Sequence, residues 1–497
     1  MSDHISRRRF LQGTAGTLVL GAFPAAASAS AAAPKSYADL RRRVRGTVVR
    51  PADPEWSAAL QLHNPRLQTS PRAIVFCECS ADVAAVLAFA RARRWSASAR
   101  SGRHSFAGYG NAAGGIVADV SRMRKVDYDP RTGLVRLGGG VQVLDVYRDL
   151  VLRHNVALPV GTCPTVGIAG LTVGGGFGRL MRRDGVSADS LRAATVVLAG
   201  GRVVRCDAER EPDLFWALRG GGAGFGVITS MTFATGAPAD PIAFTLSFEW
   251  ERVAAAIDAW QRTLPQASAQ LAYGRFRALK LASGTLSALA SGHWHGTETE
   301  LRAVLAPLLA AGPRSTNIRA VPFLDASRPD GTTRAPDGSV SAEVNRYPNY
   351  QRSDFFSSPL PPEAIGALLA RIEAWPGGGP NAHEGGVQLD ALGGAVNAVA
   401  PTATAFVHRR QQFHCAYLSF WDASDPPPVA AANAQWTRDA SATLLSWRSG
   451  AAFQNYIDPE LADSDRAYYG ENLPRLRRIA RRHDPQRRFA FAQDVRS

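Results

Sequence analysis

Residues 73–79 (Ala-Ile-Val-Phe-Cys-Glu-Cys) carry apolar side chains at strand spacing, and an alanine-rich, Val/Leu-striped run over 81–93 follows the start signal Ser80-Ala-Asp82. The pattern predicts strand, helix, strand, a glycine-rich loop at 100–115 and a strand at 116–120. It recurs as a strand at 134–137, Gly138-Gly-Gly140 and a helix at 144–154, with further glycine turns at 174–178 and 220–226. Short strands and helices joined by glycine loops predict an α+β nucleotide-binding domain out to about residue 238. Beyond Pro238 the glycine clustering stops. Alternating segments at 242–250 and 272–281 interleave there with helices, which predicts an antiparallel sheet covered on one side. The Pro/Gly/Ser-rich stretch 325–343 reads as a loop.

Composition narrows the class. The 497 residues are 45% hydrophobic and 20% charged, with 46 Gly, 31 Pro and 5 Cys, which excludes a disordered, collagen-like or disulfide-scaffold chain. The formal charge of +15 is almost all arginine, since Lys35, Lys125 and Lys280 are the only lysines. These arginines are scattered except for Arg475, Arg477, Arg478, Arg481, Arg482, Arg487 and Arg488. That run reads as a solvated helix face, so no nucleic-acid partner is expected. Cys77, Cys79, Cys163, Cys206 and Cys415 are odd in number and dispersed. Cys77 and Cys79 share one strand face and read as small core residues, and no pair at zinc spacing calls for a metal.

The N-terminus reads as an address. Ser6-Arg-Arg-Arg-Phe-Leu-Gln12 precedes a weakly apolar stretch at 13–23 and a small-residue cleavage site ending at Ala29. This order predicts a twin-arginine signal peptide over 1–29, with the twin-arginine export machinery as a partner and a secreted or extracytoplasmic location. No later segment offers the roughly 18 or more apolar residues of a membrane span.

The glycine loops are not of the Rossmann kind. Gly174-Gly-Gly-Phe-Gly178 has Arg179 at the sixth position, and the cluster from Gly220 to Gly226 misses Gly-x-Gly-x-x-Gly in every frame. Two other segments carry the discriminating chemistry: Arg100-Ser-Gly-Arg-His-Ser-Phe-Ala-Gly-Tyr-Gly110, and Gly161-Thr-Cys-Pro-Thr-Val-Gly-Ile-Ala-Gly170. Singly, His104 is an ordinary loop histidine and Cys163 an ordinary small residue. Together, in this glycine-rich setting, they resemble the berberine-bridge-enzyme-like flavoproteins of the vanillyl-alcohol-oxidase superfamily, which have a PCMH-type FAD-binding domain. Further motifs follow in family order. These are Pro212-Asp-Leu-Phe-Trp-Ala-Leu-Arg-Gly-Gly-Gly222, Phe225-Gly-Val-Ile-Thr229, Ala405-Phe-Val-His-Arg409, Asn455-Tyr456, Tyr468-Tyr-Gly-Glu-Asn-Leu-Pro-Arg-Leu476 and Asp484-Pro485.

The resemblance implies an α+β fold, with a two-subdomain PCMH-type FAD domain over about 40–238 (core about 69–238) completed by 450–497. A substrate domain with an antiparallel sheet, about 239–449, is inserted between them. It also implies FAD bound bicovalently, through His104 at the flavin 8α-methyl and Cys163 at flavin C6. Arg100, Ser101, Gly102, Arg103 and Ser105 would surround the pyrophosphate. Gly161, Thr162, Thr165, Val166, Gly167, Gly170, Gly174, Gly175, Gly176 and Gly178 would line the ring and adenine side, with Val227, Tyr456 and Asn472 as further cofactor contacts. Two bonds from separate loops would raise the reduction potential of the flavin and keep it from being lost after export.

The chain departs from the family at three points. Arg103 stands where the second glycine of Arg-Ser-Gly-Gly-His is usual. At positive φ it would cost about 1 kcal/mol, with its charge facing the pyrophosphate. The later glycine loop is one residue shorter. Phe453-Gln-Asn-Tyr456 replaces Tyr-x-Asn-Tyr, a segment from which many members draw the tyrosine base. Phe453 cannot act as a base, and Tyr456 can only if its phenol is lowered from about 10. Gln388 and Asp390 share a strand face and are candidates to support it, with a surface-facing polar pair as the alternative; His408-Arg409 reads as ordering the same sheet. The expected reaction is oxidation of an alcohol or hemiacetal, on a sugar, glycoside or secondary metabolite, with O2 reduced to hydrogen peroxide. A small residue at the Val166 position is associated with oxygen access. Oxidation of an amine or alkaloid C–N bond is the alternative within the family, and a catalytically silent secreted binding protein the alternative outside it.

Overall fold

The computed structural model describes residues 33–335, 337–343, 346–378 and 384–496. The predicted signal peptide lies outside the described residues. Three sheets organise the chain. The first joins β1 (Thr47–Val49), β2 (Ala73–Phe76), β3 (Ala97–Arg100) and β4 (Ile116–Asp119) in the order β1-β2-β4-β3. β2 and β3 both run parallel to β4, and the helix Ser80–Ala92 makes the crossover. Asp82 of the start signal is fully buried; its carboxylate accepts the backbone N–H groups of Arg45, Gly46 and Glu78 at 2.9–3.1 Å, tying the helix to the chain entering β1. In a parallel sheet, ligand sites form beyond the carboxyl ends of the strands. The glycine-rich loop with His104 starts there, directly after β3.

The second sheet contains β5 (Val126–Asp129), β6 (Leu134–Gly138), β7 (Leu191–Val197), β8 (Val203–Asp207) and β9 (Val227–Ala234), antiparallel throughout, in the order β5-β6-β9-β7-β8. The helix predicted at 144–154 forms over 143–154, with a wider π-turn at Tyr147–Val151 in its middle. The core of this sheet includes Tyr468, Tyr469, Leu476 and Ile479 beside Leu137, Val196 and Met231. The C-terminal segment therefore packs back onto the first half of the chain. Its arginine-rich helix Leu473–His483 turns Arg475 onto the ring of Trp216 at 4.1 Å and into a 2.7 Å ion pair with Asp213.

The third sheet is antiparallel and seven-stranded. It contains β10 (Ile242–Phe248), β11 (Leu271–Leu281), β12 (Leu286–Trp294), β13 (Ser315–Ala320), β16 (Asn349–Phe356), β17 (Glu384–Ala391) and β18 (Phe413–Phe420), ordered β13-β10-β12-β11-β17-β18-β16. The stretch 325–343 is not only loop: it contains a hairpin of β14 (Thr332–Arg334) and β15 (Val340–Ala342). Helices Val253–Thr263, Glu298–Ala310, Pro362–Glu373 and Pro427–Thr443 cover one face of the large sheet, around Trp260, Leu305, Leu368 and Trp436. Strand alternation sends Val387 and Leu389 into that core and Gln388 and Asp390 to the other face. Among the described residues, no helix is long and apolar enough to cross a membrane, and no group of three or more His, Cys, Asp or Glu is placed to hold a metal.

Candidate flavin site and its family

The uncovered face of the large sheet closes over the two glycine loops, and a cavity of about 990 Å³ lies between them. That is at the upper end of the usual range for small-molecule and cofactor sites. His104 and Cys163, from separate loops, both line it, together with Tyr456, Gln388 and Asp390. So do Arg100, Ser101, Gly102, Arg103, Ser105, Gly161, Thr162, Val166, Gly167, Gly170, Gly174 and Gly178. The two loops touch where neither has a side chain: a Cβ on Gly102 would lie 2.3 Å from the Gly167 nitrogen, and one on Gly167 would lie 2.7 Å from the Gly102 nitrogen.

Five of the residues assigned to the cofactor from sequence lie off the cavity wall. Gly175 and Gly176 turn toward Phe406 and Ser187. Val227 is fully buried in the core beside β4. Asn472 donates from Nδ2 to the carbonyls of Pro401 and Thr404 at 2.8 and 3.2 Å, which is a structural task. Thr165 stands behind the wall, its hydroxyl 2.8 Å from His104 Nε2.

Electrostatics differs between the two loops. The His104 ring stacks on His63 at 3.8 Å. Burial, then His63 and Arg346, hold His104 well below its ordinary pKa, so its imidazole is neutral and nucleophilic. Burial likewise lowers His63, to about 4. The Cys163 thiol is pushed up by burial and is protonated. Arg103 does adopt positive φ, at 66°. Its guanidinium lies 3.8 Å from Asp119 and donates to the Ala58 carbonyl at 3.4 Å. Arg100 is also paired internally, to Asp119 at 2.6 Å and Asn111 at 2.7 Å, so the anion-binding capacity of this loop lies in its backbone. The N–H groups of residues 102–105 donate to no atom among the described residues, which leaves them without a protein acceptor.

At the other end, Gln388 and Asp390 are buried, so the surface-facing alternative does not hold. Asp390 Oδ1 accepts from Arg275 Nε at 2.8 Å, and Oδ2 accepts from Gln388 Nε2 at 2.9 Å. Burial pushes this carboxyl up, but the Arg275 guanidinium and His414 outweigh it and hold Asp390 well below the usual carboxylate range. Tyr456 stacks on Phe106 at 5.0 Å, and burial, reinforced by the Asp390 charge, pushes its phenol up to about 12. It is not the lowered phenol that a tyrosine base requires. Phe453 stacks on Phe177 at 4.1 Å and completes an aromatic floor. His408 stacks on Phe355 at 4.4 Å, and Arg409 is locked by Asp189 at 2.7 and 2.8 Å, both structural. Sequence reasoning did not find Arg275, His63 or His414; no motif marks them.

A flavin dinucleotide, which carries both donors and acceptors, fits the unpartnered polar atoms of the wall. Ser101 Oγ, Gln454 Oε1 and Asn455 Oδ1 are buried, lack a protein partner and belong to residues on the cavity wall. Residues 71–207 match the FAD binding domain family, and 452–496 match the family described as berberine and berberine like. The FAD-linked oxidoreductase YgaK of Bacillus subtilis is 32% identical over 461 residues, covering 92% of this chain and 98% of that one. The chain belongs to the berberine-bridge-enzyme-like FAD-linked oxidoreductases. Within that family, the xylooligosaccharide oxidase of Thermothelomyces thermophilus is 28% identical over 468 residues, covering 89% of this chain and 90% of the relative. The solved structure of Physcomitrella patens BBE-like 1 superimposes with a TM-score of 0.81 at 25% identity, over 92% of this chain and 98% of that one. This berberine-bridge-enzyme-like chain is thus an FAD-linked oxidoreductase of α+β, PCMH-type fold, as the resemblance in its motifs implies.

Proposed function

We propose that the chain is an exported oxidase acting on the alcohol or hemiacetal carbon of a sugar, glycoside or related metabolite, delivering two electrons to O2 to give hydrogen peroxide. One observation carries the reading: His104 and Cys163 share a cavity with Tyr456, Gln388 and Asp390. FAD, when bound, supplies the two-electron acceptor. His104 and Cys163 are the attachment points. With Nε2 engaged by Thr165, the His104 nitrogen left for attachment is Nδ1. Cys163, whose thiol is protonated in the free site, would be the second group to hold the ring.

The polar end of the cavity handles the substrate proton. Asp390, held well below the usual range, is already in its proton-accepting form at neutral pH, whereas Tyr456, near 12, is not. So acidic a carboxylate is a weak base. It suffices when the proton leaves late, because loss of hydride turns the hydroxyl into a strongly acidic protonated carbonyl. Tyr456 orients that hydroxyl and Gln388 holds the carboxylate. Val166 lies on the wall, and a small side chain at this position supports the oxidase reading. The xylooligosaccharide oxidase among the relatives supports a saccharide donor. Export rests on Arg7 and Arg8 before Phe10-Leu11. Replacing both arginines by lysine should leave the protein in the cytoplasm.

The test is anaerobic mixing of the purified holoenzyme with oligosaccharides, alcohols and amines while the flavin absorbance is followed, and then the same donors in air with peroxide detection. Bleaching by reducing sugars with one peroxide per turnover is expected. Bleaching by amines alone, or by no donor, would overturn the reading.

A further inference from the structure

Register alone sets a row of side chains across the large sheet. Arg275, Asp390, His414 and Phe355 are successive cross-strand partners on β11, β17, β18 and β16. Directly opposed residues in antiparallel strands share a face. Arg275 therefore flanks Asp390 on one side and His414 on the other, with His414 Nδ1 3.6 Å from Asp390 Oδ2.

His414 is fully buried, and neither ring nitrogen has a hydrogen-bond partner among the described residues. Its walls are aromatic: Phe355 at 5.3 Å from β16, Phe177 at 5.6 Å from the glycine loop, and Phe453 and Tyr456 at 5.6 and 5.3 Å from the C-terminal segment. The titratable groups facing it are Asp390 on β17, Tyr456, and His408 of the loop before β18, on which it acts electrostatically; Arg275 follows beyond Asp390. An unpartnered buried imidazole costs stability, and a phenylalanine would fill this aromatic box without that cost. His414 is also the one member of the row that touches both the carboxylate and the Tyr456 ring.

We propose that His414 is a positioning residue for the oxidation: from behind Asp390, opposite Arg275, it fixes the carboxylate against Tyr456 in the arrangement that accepts the hydroxyl proton. The proposal rests on the roles given above to Asp390 and Tyr456. Hydrogen bonds of this kind are often long in the free enzyme and tighten when the reacting group is in place. A shift of a few tenths of an ångström brings Nδ1–H of His414 onto Oδ2.

Two variants test it in the holoenzyme. His414→Phe keeps the volume and the ring stacking without a donor, and His414→Gln keeps a donor. Flavin content and the affinity for a non-oxidisable substrate analogue, measured by calorimetry, should match wild type in both. The rate of flavin reduction should fall ~10-fold or more in His414→Phe, part of the roughly 10²–10⁴ that proton transfer contributes. It should recover largely in His414→Gln, with KM unchanged. The acid limb of the pH–rate profile should move up in His414→Phe, because Asp390 loses one of the groups that lower it. In an Asp390→Asn background the same substitution should add little. Unchanged kcat and pH profile in His414→Phe, or full additivity with Asp390→Asn, would overturn the proposal. If no donor reduces the wild-type flavin, the functional reading fails. The positioning claim is then decided by denaturant titrations at acid pH. His414→Phe should lose less stability than wild type as pH falls below about 4, because the folded pKa of Asp390 moves toward its unfolded value, and coincident profiles would refute it.

Discussion

The meeting of the two flavin-site loops gives the sharpest mutational test. An Ala at Gly102 would place its Cβ 2.3 Å from the Gly167 nitrogen and 2.5 Å from the Thr165 carbonyl oxygen, both backbone atoms. Ordinary carbon contacts lie near 3.5 Å, so one loop must retreat by about 1 Å. Overpacking of this kind costs about 1–3 kcal/mol. The functional cost is larger, because a misplacement of about 1 Å in a reacting geometry can lose 10²-fold in rate. Gly102→Ala should therefore melt below wild type and carry flavin with one linkage incomplete, His104 and Cys163 being on the two loops it separates. Gly366→Ala is the control, as the Gly366 position in the helix Pro362–Glu373 has nothing within 4 Å. It should be about 0.4–1 kcal/mol more stable. Intact mass and thermal melting of the two variants are the assay. Gly102→Ala with wild-type melting and a full complement of bicovalent flavin would refute the argument that loop contact sets attachment.

Other predictions follow from single groups. Asp390 has its folded pKa held below its unfolded value of about 3.9, so it contributes stability above about pH 4 that is lost as pH falls further; Asp390→Asn should flatten this acid limb in denaturant titrations and lower the rate of flavin reduction by about 10² or more. Asp189→Asn removes the anion that pairs with fully buried Arg409 and should cost about 3–5 kcal/mol in equilibrium unfolding, with little change in cofactor stoichiometry among folded molecules. Arg103→Gly relieves a residue at φ 66° but gives up a 3.8 Å contact to Asp119, a 3.4 Å hydrogen bond to the Ala58 carbonyl and a cation–π contact on Phe76, so any gain in melting should stay below about 1 kcal/mol.

Much of the first half was legible because its signals are local. Apolar spacing and a start signal place β2, the helix Ser80–Ala92 and β4 to within a few residues, and glycine clusters mark the turns through which backbones approach one another. The π-turn at Tyr147–Val151 and the β14–β15 hairpin were not, since neither alters the polar pattern. The substrate end was least legible. Arg275 meets Asp390 across 115 residues of chain, and His414 does so only because β17 and β18 pair in one particular register. Read along the chain, Phe413-His-Cys-Ala-Tyr417 is an ordinary buried strand. Asn472 shows the opposite error. Its motif is family-like, but its amide spans a loop 71 residues earlier rather than the cavity.

The central claim is that His104 and Cys163 hold one flavin from two loops. Intact mass and the visible spectrum of acid-precipitated protein test it most directly, for wild type, His104→Ala, Cys163→Ala and the double variant. The account predicts flavin retained in the wild-type precipitate, one linkage remaining in each single variant, and release in the double variant. Wild-type protein of apoprotein mass with a colourless precipitate, after expression with ample flavin, would contradict it.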